Sequence, residues 1–264
     1  MLRTARRLAT LAATTTAAAA ALVAAPAPAQ AAPVTFENCP TYSDQCFKAV
    51  TTGGSFTIGP LTLPLEGEIT LTGGMSGTEM VTPLDEPKLV ATPLQVPGGL
   101  LGLAGTEKLL PGVTDIKATT QLAGVPEINI FDVLYGEGPG VILPVKIKLA
   151  NPLLGPSCYI GSDANPITLR LTTGTTAPPA PNQPITGDRG TLTFDPASGA
   201  VVTEGTRIVD NAFAVPAATG CSALGVKLLN LDSVVNGRQK LPSPAGTNTA
   251  ILESSSAFGP NPAG

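Results

Sequence analysis

Histidine and tryptophan are absent from the 264 residues, and aromatic side chains make up only 4% of them. Without an imidazole the chain has no Ser-His-Asp or Cys-His catalytic group and no metal site built on histidine. With so few ring faces, the stacking platforms that sugar sites need are scarce, which argues against a polysaccharide hydrolase. Charge is sparse too, at 13% of residues, and acidic side chains outnumber basic ones 19 to 15. Beyond the N-terminus the Lys and Arg residues form no cluster, so neither nucleic acid nor an anionic lipid surface is an expected partner. No S-x-x-K arrangement is present. No catalytic residue, no cofactor and no metal ligand is assigned, and a non-enzymatic role is expected.

The four cysteines, Cys39, Cys46, Cys158 and Cys221, contain no CxxC pair, which disfavours a zinc-thiolate site. The N-terminus supplies the context for them. Arg3, Arg6 and Arg7 precede an Ala- and Leu-rich stretch that runs through Ala25, and Ala29-Gln30-Ala31 forms a small-x-small cleavage site. This predicts an export signal over residues 1–31 and a mature chain from Ala32. Pro26 and Pro28 interrupt the apolar stretch, so it is too short to span a membrane. Leu8-Ala9-Thr10 after Arg6-Arg7 fits the twin-arginine route poorly, which leaves Sec export. Three of the fifteen basic residues lie in the signal, leaving twelve against nineteen acidic ones, a net charge of −7.

An even cysteine count in an exported chain reads as two disulfides. Three pairings exist. Cys39–Cys46 with Cys158–Cys221 is favoured, because the first two sit close together in one turn-rich segment. In the chain-entropy model the short loop stabilises by about 2.5 kcal/mol and the long one by about 4 kcal/mol.

Short runs of alternating polarity dominate the rest. In Glu66–Thr72, Ile69 and Leu71 share one face. Val145, Ile147 and Leu149 alternate with Lys146 and Lys148, and Ile167–Leu171 repeats that pattern. Thr191–Phe194 and Ala200–Thr203 flank the hairpin-like turn Asp195–Gly199. The 27 prolines favour short strands or edge strands, and Leu61–Leu63 between Pro60 and Pro64 reads as one. The fold class expected is mainly β, a β-sandwich or open barrel of short strands with one or two short helices near the C-terminal third. One domain spans residues 32–264, with a core from about Val34 to Phe258.

One helix is expected from Ser222 on the spacing of Leu224, Leu228, Leu231 and Val235, stopped at Asn236-Gly237, and a shorter one over Arg207 to Phe213. Thr172 to Pro184 is Thr/Pro-rich and reads as a surface loop rather than a linker. Gly161–Asn165 alternates oxygen ligands like the start of a calcium loop, but it lacks the glycine and distal glutamate of an EF-hand and reads as a turn. Tyr42, Tyr135 and Tyr159 read as partly buried packing residues. The apolar, glycine-rich segment Leu94–Leu110 has two readings. Leu94, Leu100, Leu101, Leu103, Leu109 and Leu110 either line an apolar cavity or touch an envelope surface, or they cover an open end of the β core.

At Leu143–Pro179, Val209–Cys221 and Leu241–Leu252 the chain resembles a family of secreted actinobacterial proteins to which no activity is attached. The resemblance implies an exported protein of the envelope or culture fluid and brings no catalytic residue. The function expected is a secreted, non-catalytic structural or surface protein of the cell envelope. The alternative is an extracellular binding module for an apolar ligand such as an envelope lipid, and the second alternative an enzyme of unrecognised type.

Overall fold

The computed structural model describes residues 34–81, 89–99, 115–222 and 230–262. Residues from Pro33 onward form one unit, divided from Met1–Ala32. The predicted export signal therefore lies outside the described residues.

The strands are β1 (Gln45–Ile58), β2 (Leu61–Pro64), β3 (Ile69–Ser76), β4 (Glu79–Val81), β5 (Leu89–Ala91), β6 (Leu94–Val96), β7 (Ile116–Leu122) and β8 (Glu127–Ile128). After helix α1 (Ile130–Tyr135) come β9 (Val141–Ala150), β10 (Tyr159–Ile160), β11 (Ile167–Leu171), β12 (Thr191–Asp195), β13 (Ala200–Asp210) and β14 (Ala218–Thr219). Helix α2 (Asp232–Gln239) and β15 (Thr249–Pro260) complete the chain. The protein is mainly β, as expected, but four strands are long: β1, β9, β13 and β15 have 14, 10, 11 and 12 residues.

The sheet closes on itself. Antiparallel neighbours run β13-β15-β1-β3-β4-β8-β9, and β11 pairs the other side of β9. Just beyond β11, Thr172 exchanges both backbone hydrogen bonds with Val209 of β13, at 3.0 and 2.9 Å. Asp188 and Arg207 make a second such exchange. A ring in which every neighbour is antiparallel needs an even number of strands, and this one has eight. The segment read from sequence as a surface loop thus supplies the closing bridge, with Thr172 and Thr173 buried at its start.

Bulges in two long strands reset which side chains face inward. In β1, Phe47, Ala49 and Thr51 point inward; past the irregularity between Thr51 and Gly53, Phe56 and Ile58 do so. In β13 the register shifts between Thr203 and Thr206, after which Thr206 and Ile208 point inward. One extra residue flips the parity of the side chains and bends the strand. β15, lying between them, keeps one parity through Leu252, Ser254 and Ser256.

β9 runs unbroken through Pro144. Its carbonyl accepts from Ala123, so its missing N–H faces the interval between β7 and β8, where no ladder partner is lost. β2 pairs β1 alone, as an edge strand.

The helices differ from expectation. Arg207 to Asp210 belongs to β13. Both of its faces are covered there, with Val209 fully buried and Ile208 at the interior, so period two disappears from the sequence. α2 starts at Asp232, ten residues after Ser222, which instead bridges to Asn230. Leu224 and Leu228 lie outside the described residues. Asn236 does not stop the helix, because its side chain bonds both the N–H and the C=O of Ala218 in β14. Lys240, in the left-handed region, ends it. α1 was not expected. Asn129 caps it by accepting from the Phe131 and Asp132 amides, and Gly136 closes it in the left-handed region.

Both disulfides are formed, Cys39–Cys46 and Cys158–Cys221. The second lies beside the β10–β14 pair. Among the described residues no helix is long and apolar enough to cross a membrane.

Gly54 carries the β1 bend. Its φ is +113°, and a Cβ there would lie 2.0 Å from the Ile251 carbonyl oxygen. Gly205 has φ +66° but open space around it. Gly54→Ala is expected to cost about 3 kcal/mol or to block folding, and Gly205→Ala about 1 kcal/mol. Denaturant midpoints of the two variants measure the difference, and equal losses would contradict the assignment.

Candidate functional site

The ring holds a partly open apolar cavity of about 100 Å³. Its lining comes from seven of the eight ring strands, β4 being the exception, from β2, β5, β6 and β7, and from Ile130 and Val133 of α1. Among its apolar lining residues are Phe47 and Phe56 of β1, Leu143 and Ile147 of β9, Leu169 of β11 and Leu252 of β15. No charged side chain lines it among the described residues. Its polar groups are hydroxyls: Thr51, Thr120, Thr206, Ser254 and Ser256. An eight-stranded barrel is just wide enough to be filled by side chains or to hold one small ligand.

Leu94 lies on β6 and reaches this lining. Leu100, Leu101, Leu103, Leu109 and Leu110 lie outside the described residues. The sequence pattern did not mark Phe47, Ala49, Thr51, Thr206 or Ser254 as lining residues. The signal that points to them is the Gly53-Gly54 pair inside an otherwise strand-like run, since glycine within a strand marks a bulge.

Other sequence candidates sit elsewhere. Gly161–Asn165 is a turn in which Ser162 and Asn165 exchange backbone hydrogen bonds. Asp163 pairs with Lys146 at 2.6 Å, and that ammonium lies 5.5 Å from the centre of the Tyr159 ring. Tyr159 is half-buried, but Tyr42 and Tyr135 are 72% and 69% exposed. Tyr42 sits in a turn before β1 and Tyr135 is the last residue of α1. The four cysteines do not line the cavity.

Asp210 is the one fully buried carboxylate among the described residues. It does not line the cavity. One oxygen accepts from the Arg170 amide at 2.7 Å, the other from the Ala212 amide at 2.8 Å. It therefore works as a bracket between β11 and β13. Asp195, half-buried, is held below the ordinary carboxylate range by the Ser198 hydroxyl and the Val34 and Ala197 amides, and it organises the β12–β13 turn.

No protein-family model, curated protein or solved structure matches this chain.

Burial holds the Asp210 carboxyl above its ordinary range, against the pull of the Arg170 and Ala212 amides and the Arg170 charge. The folded state then keeps a proton that the unfolded chain has already released. Stability contributed at Asp210 is fullest below the unfolded value of 3.8 and falls as pH rises through the higher folded one. The stability margin of the wild type over Asp210→Asn is expected to shrink with rising pH across that window and to level off above it. Urea unfolding at a series of pH values measures this, and a margin that grows with pH contradicts it.

Proposed function

We propose that this is an exported β-barrel that binds a small apolar ligand in its interior. One observation carries the reading: an uncharged, apolar cavity inside a closed barrel, lined from nearly every wall. The two disulfides fit an oxidising compartment. The size sets the ligand. A volume of about 100 Å³ is below the roughly 150 Å³ of an apolar cavity that takes up benzene, and well below the roughly 300 Å³ at which drug-sized sites begin. The occupant is a short-chain molecule or the terminal segment of an alkyl chain, not a whole lipid.

Ala49, half-buried on β1 opposite Leu71 and Ser256, faces the cavity. Ala49→Leu adds three carbons to the space. It is expected to weaken binding of n-pentane at least about tenfold while leaving stability unchanged or raising it by about 1–2 kcal/mol. Methyl NMR titration in sealed tubes follows the first, thermal unfolding the second. A wild-type protein that shows no saturable shift with n-pentane overturns the reading.

A second reading, surface assembly with another copy of the chain, is favoured by β12. This strand ends the hydrogen-bonded order, and Leu192 and Phe194 on it are 54% and 64% exposed. Pairing β12 with its own copy about Thr193 sets Leu192 against Phe194, an apolar cross-strand pair. Native mass spectrometry is expected to show a dimer that Phe194→Lys dissociates. A monomer at all concentrations removes this reading.

A further inference from the structure

The cavity wall carries a row of hydroxyls that its apolar neighbours do not explain. Register places Ser254 of β15 directly opposite Thr51 of β1 on one side and Thr206 of β13 on the other. All three line the cavity. Both bulges fall beside this row, the one in β1 just after Thr51 and the one in β13 just before Thr206. The parity flips thus keep the two threonines on the inner face while the strands bend around them.

Two of these hydroxyls lack a partner. Thr206 donates to the Arg189 carbonyl at 3.3 Å, and the neighbouring Ser256 is hydrogen-bonded to Thr203 at 2.6 Å. Thr51, only 7% exposed, and Ser254, half-buried, make no side-chain hydrogen bond among the described residues. Both residues line the cavity, and neither oxygen is among the fully enclosed unpaired side-chain atoms, which belong to Asp115 and Asn211. A buried hydroxyl without a partner is costly. Valine and alanine would fill these positions in a core that had only to be packed.

We propose that the cavity selects a neutral amphiphile, an alkyl group bearing one hydroxyl or carbonyl that hydrogen-bonds Thr51 and Ser254. This rests on the apolar-ligand reading above and adds the polar end of the ligand to it. A hydroxyl serves either as donor or as acceptor, so the row accepts an alcohol or a carbonyl compound. With no cation in the lining it does not compensate a carboxylate, whose uncompensated charge is far costlier to bury.

The test uses two probes of five heavy atoms each, 1-butanol and n-pentane, titrated by methyl NMR into the intact protein and into the double variant Thr51→Val, Ser254→Ala. Both substitutions keep the side chains close in shape. The affinity ratio of 1-butanol to n-pentane is expected to fall about tenfold in the variant, with n-pentane binding unchanged or tighter. An unchanged ratio, with both probes still bound, overturns the selectivity but leaves the apolar-ligand reading standing. Failure of the wild type to bind either probe overturns both. A circular-dichroism melt of the variant establishes that it is folded, and single Thr51→Val and Ser254→Ala variants repeat the ratio if it is not.

Discussion

Closure of the sheet is the constraint on which the rest of the molecule depends. Thr172 and Val209 join β11 to β13 with a single pair of backbone hydrogen bonds. Once they do, the inner face of every ring strand looks into the same space and must be filled from all sides. That requirement explains the two bulges. A fourteen-residue strand curving around a narrow barrel cannot keep one pleat and one direction, and Gly53-Gly54 let β1 turn by losing a residue from the ladder. The close approach of Gly54 to the Ile251 carbonyl leaves no room for any other residue. β13 solves the same problem at Glu204-Gly205. Both irregularities flank one stretch of β15, so the bulges and the hydroxyl row fall at the same height of the barrel.

Buried amides hold the chain ends against this wall. Asn248 is fully buried. Its carbonyl accepts from the Gly59 amide and the Ser243 hydroxyl, and its amide group donates to the Phe213 and Pro244 carbonyls. Asn182 reaches the Asn211 and Asn248 carbonyls from another loop. Asn261 donates to the Pro40 and Ser43 carbonyls, tying the end of β15 to the start of β1. Each side chain satisfies backbone groups that would otherwise be buried unpaired. A chain so rich in proline has many segments outside ladders, and asparagine replaces the ladder bonds they lack.

Much of this was legible where one face of a strand meets solvent. β9 alternates buried Val145, Ile147 and Leu149 with half-buried neighbours, and the Asp195–Gly199 turn and the expected cysteine pairing are present. What stayed hidden has two physical causes. Where both faces of a strand are covered, as at Ile208-Val209, the polarity pattern loses period two and imitates a helix. Where a bulge flips parity, the inward set is split between odd and even positions, so the lining of β1 reads as two unrelated fragments. Thr51 and Ser254 were obscured for a third reason. Polar residues on an inner face look from sequence like the solvent side of the strand.

The wall also has a place where it is held less tightly. β5 is hydrogen-bonded to β3, and β7 to β6 and β9, while β5 and β7 lie side by side with no ladder between them. Leu89, Leu94, Ala118 and Thr120, on the strands about this seam, all reach the cavity. Neither disulfide crosses it: one restrains the segment before β1, the other the β10–β14 pair. Among the described residues the ring neighbours elsewhere are joined by backbone hydrogen bonds, whereas no backbone ladder joins these two strands. Local opening concentrates where the fewest such bonds must break. Among the described residues the β5–β7 contact is such a place. The side chains that reach the cavity from this seam are three aliphatic ones and Thr120, while the hydroxyl row lies across the interior on β1, β13 and β15.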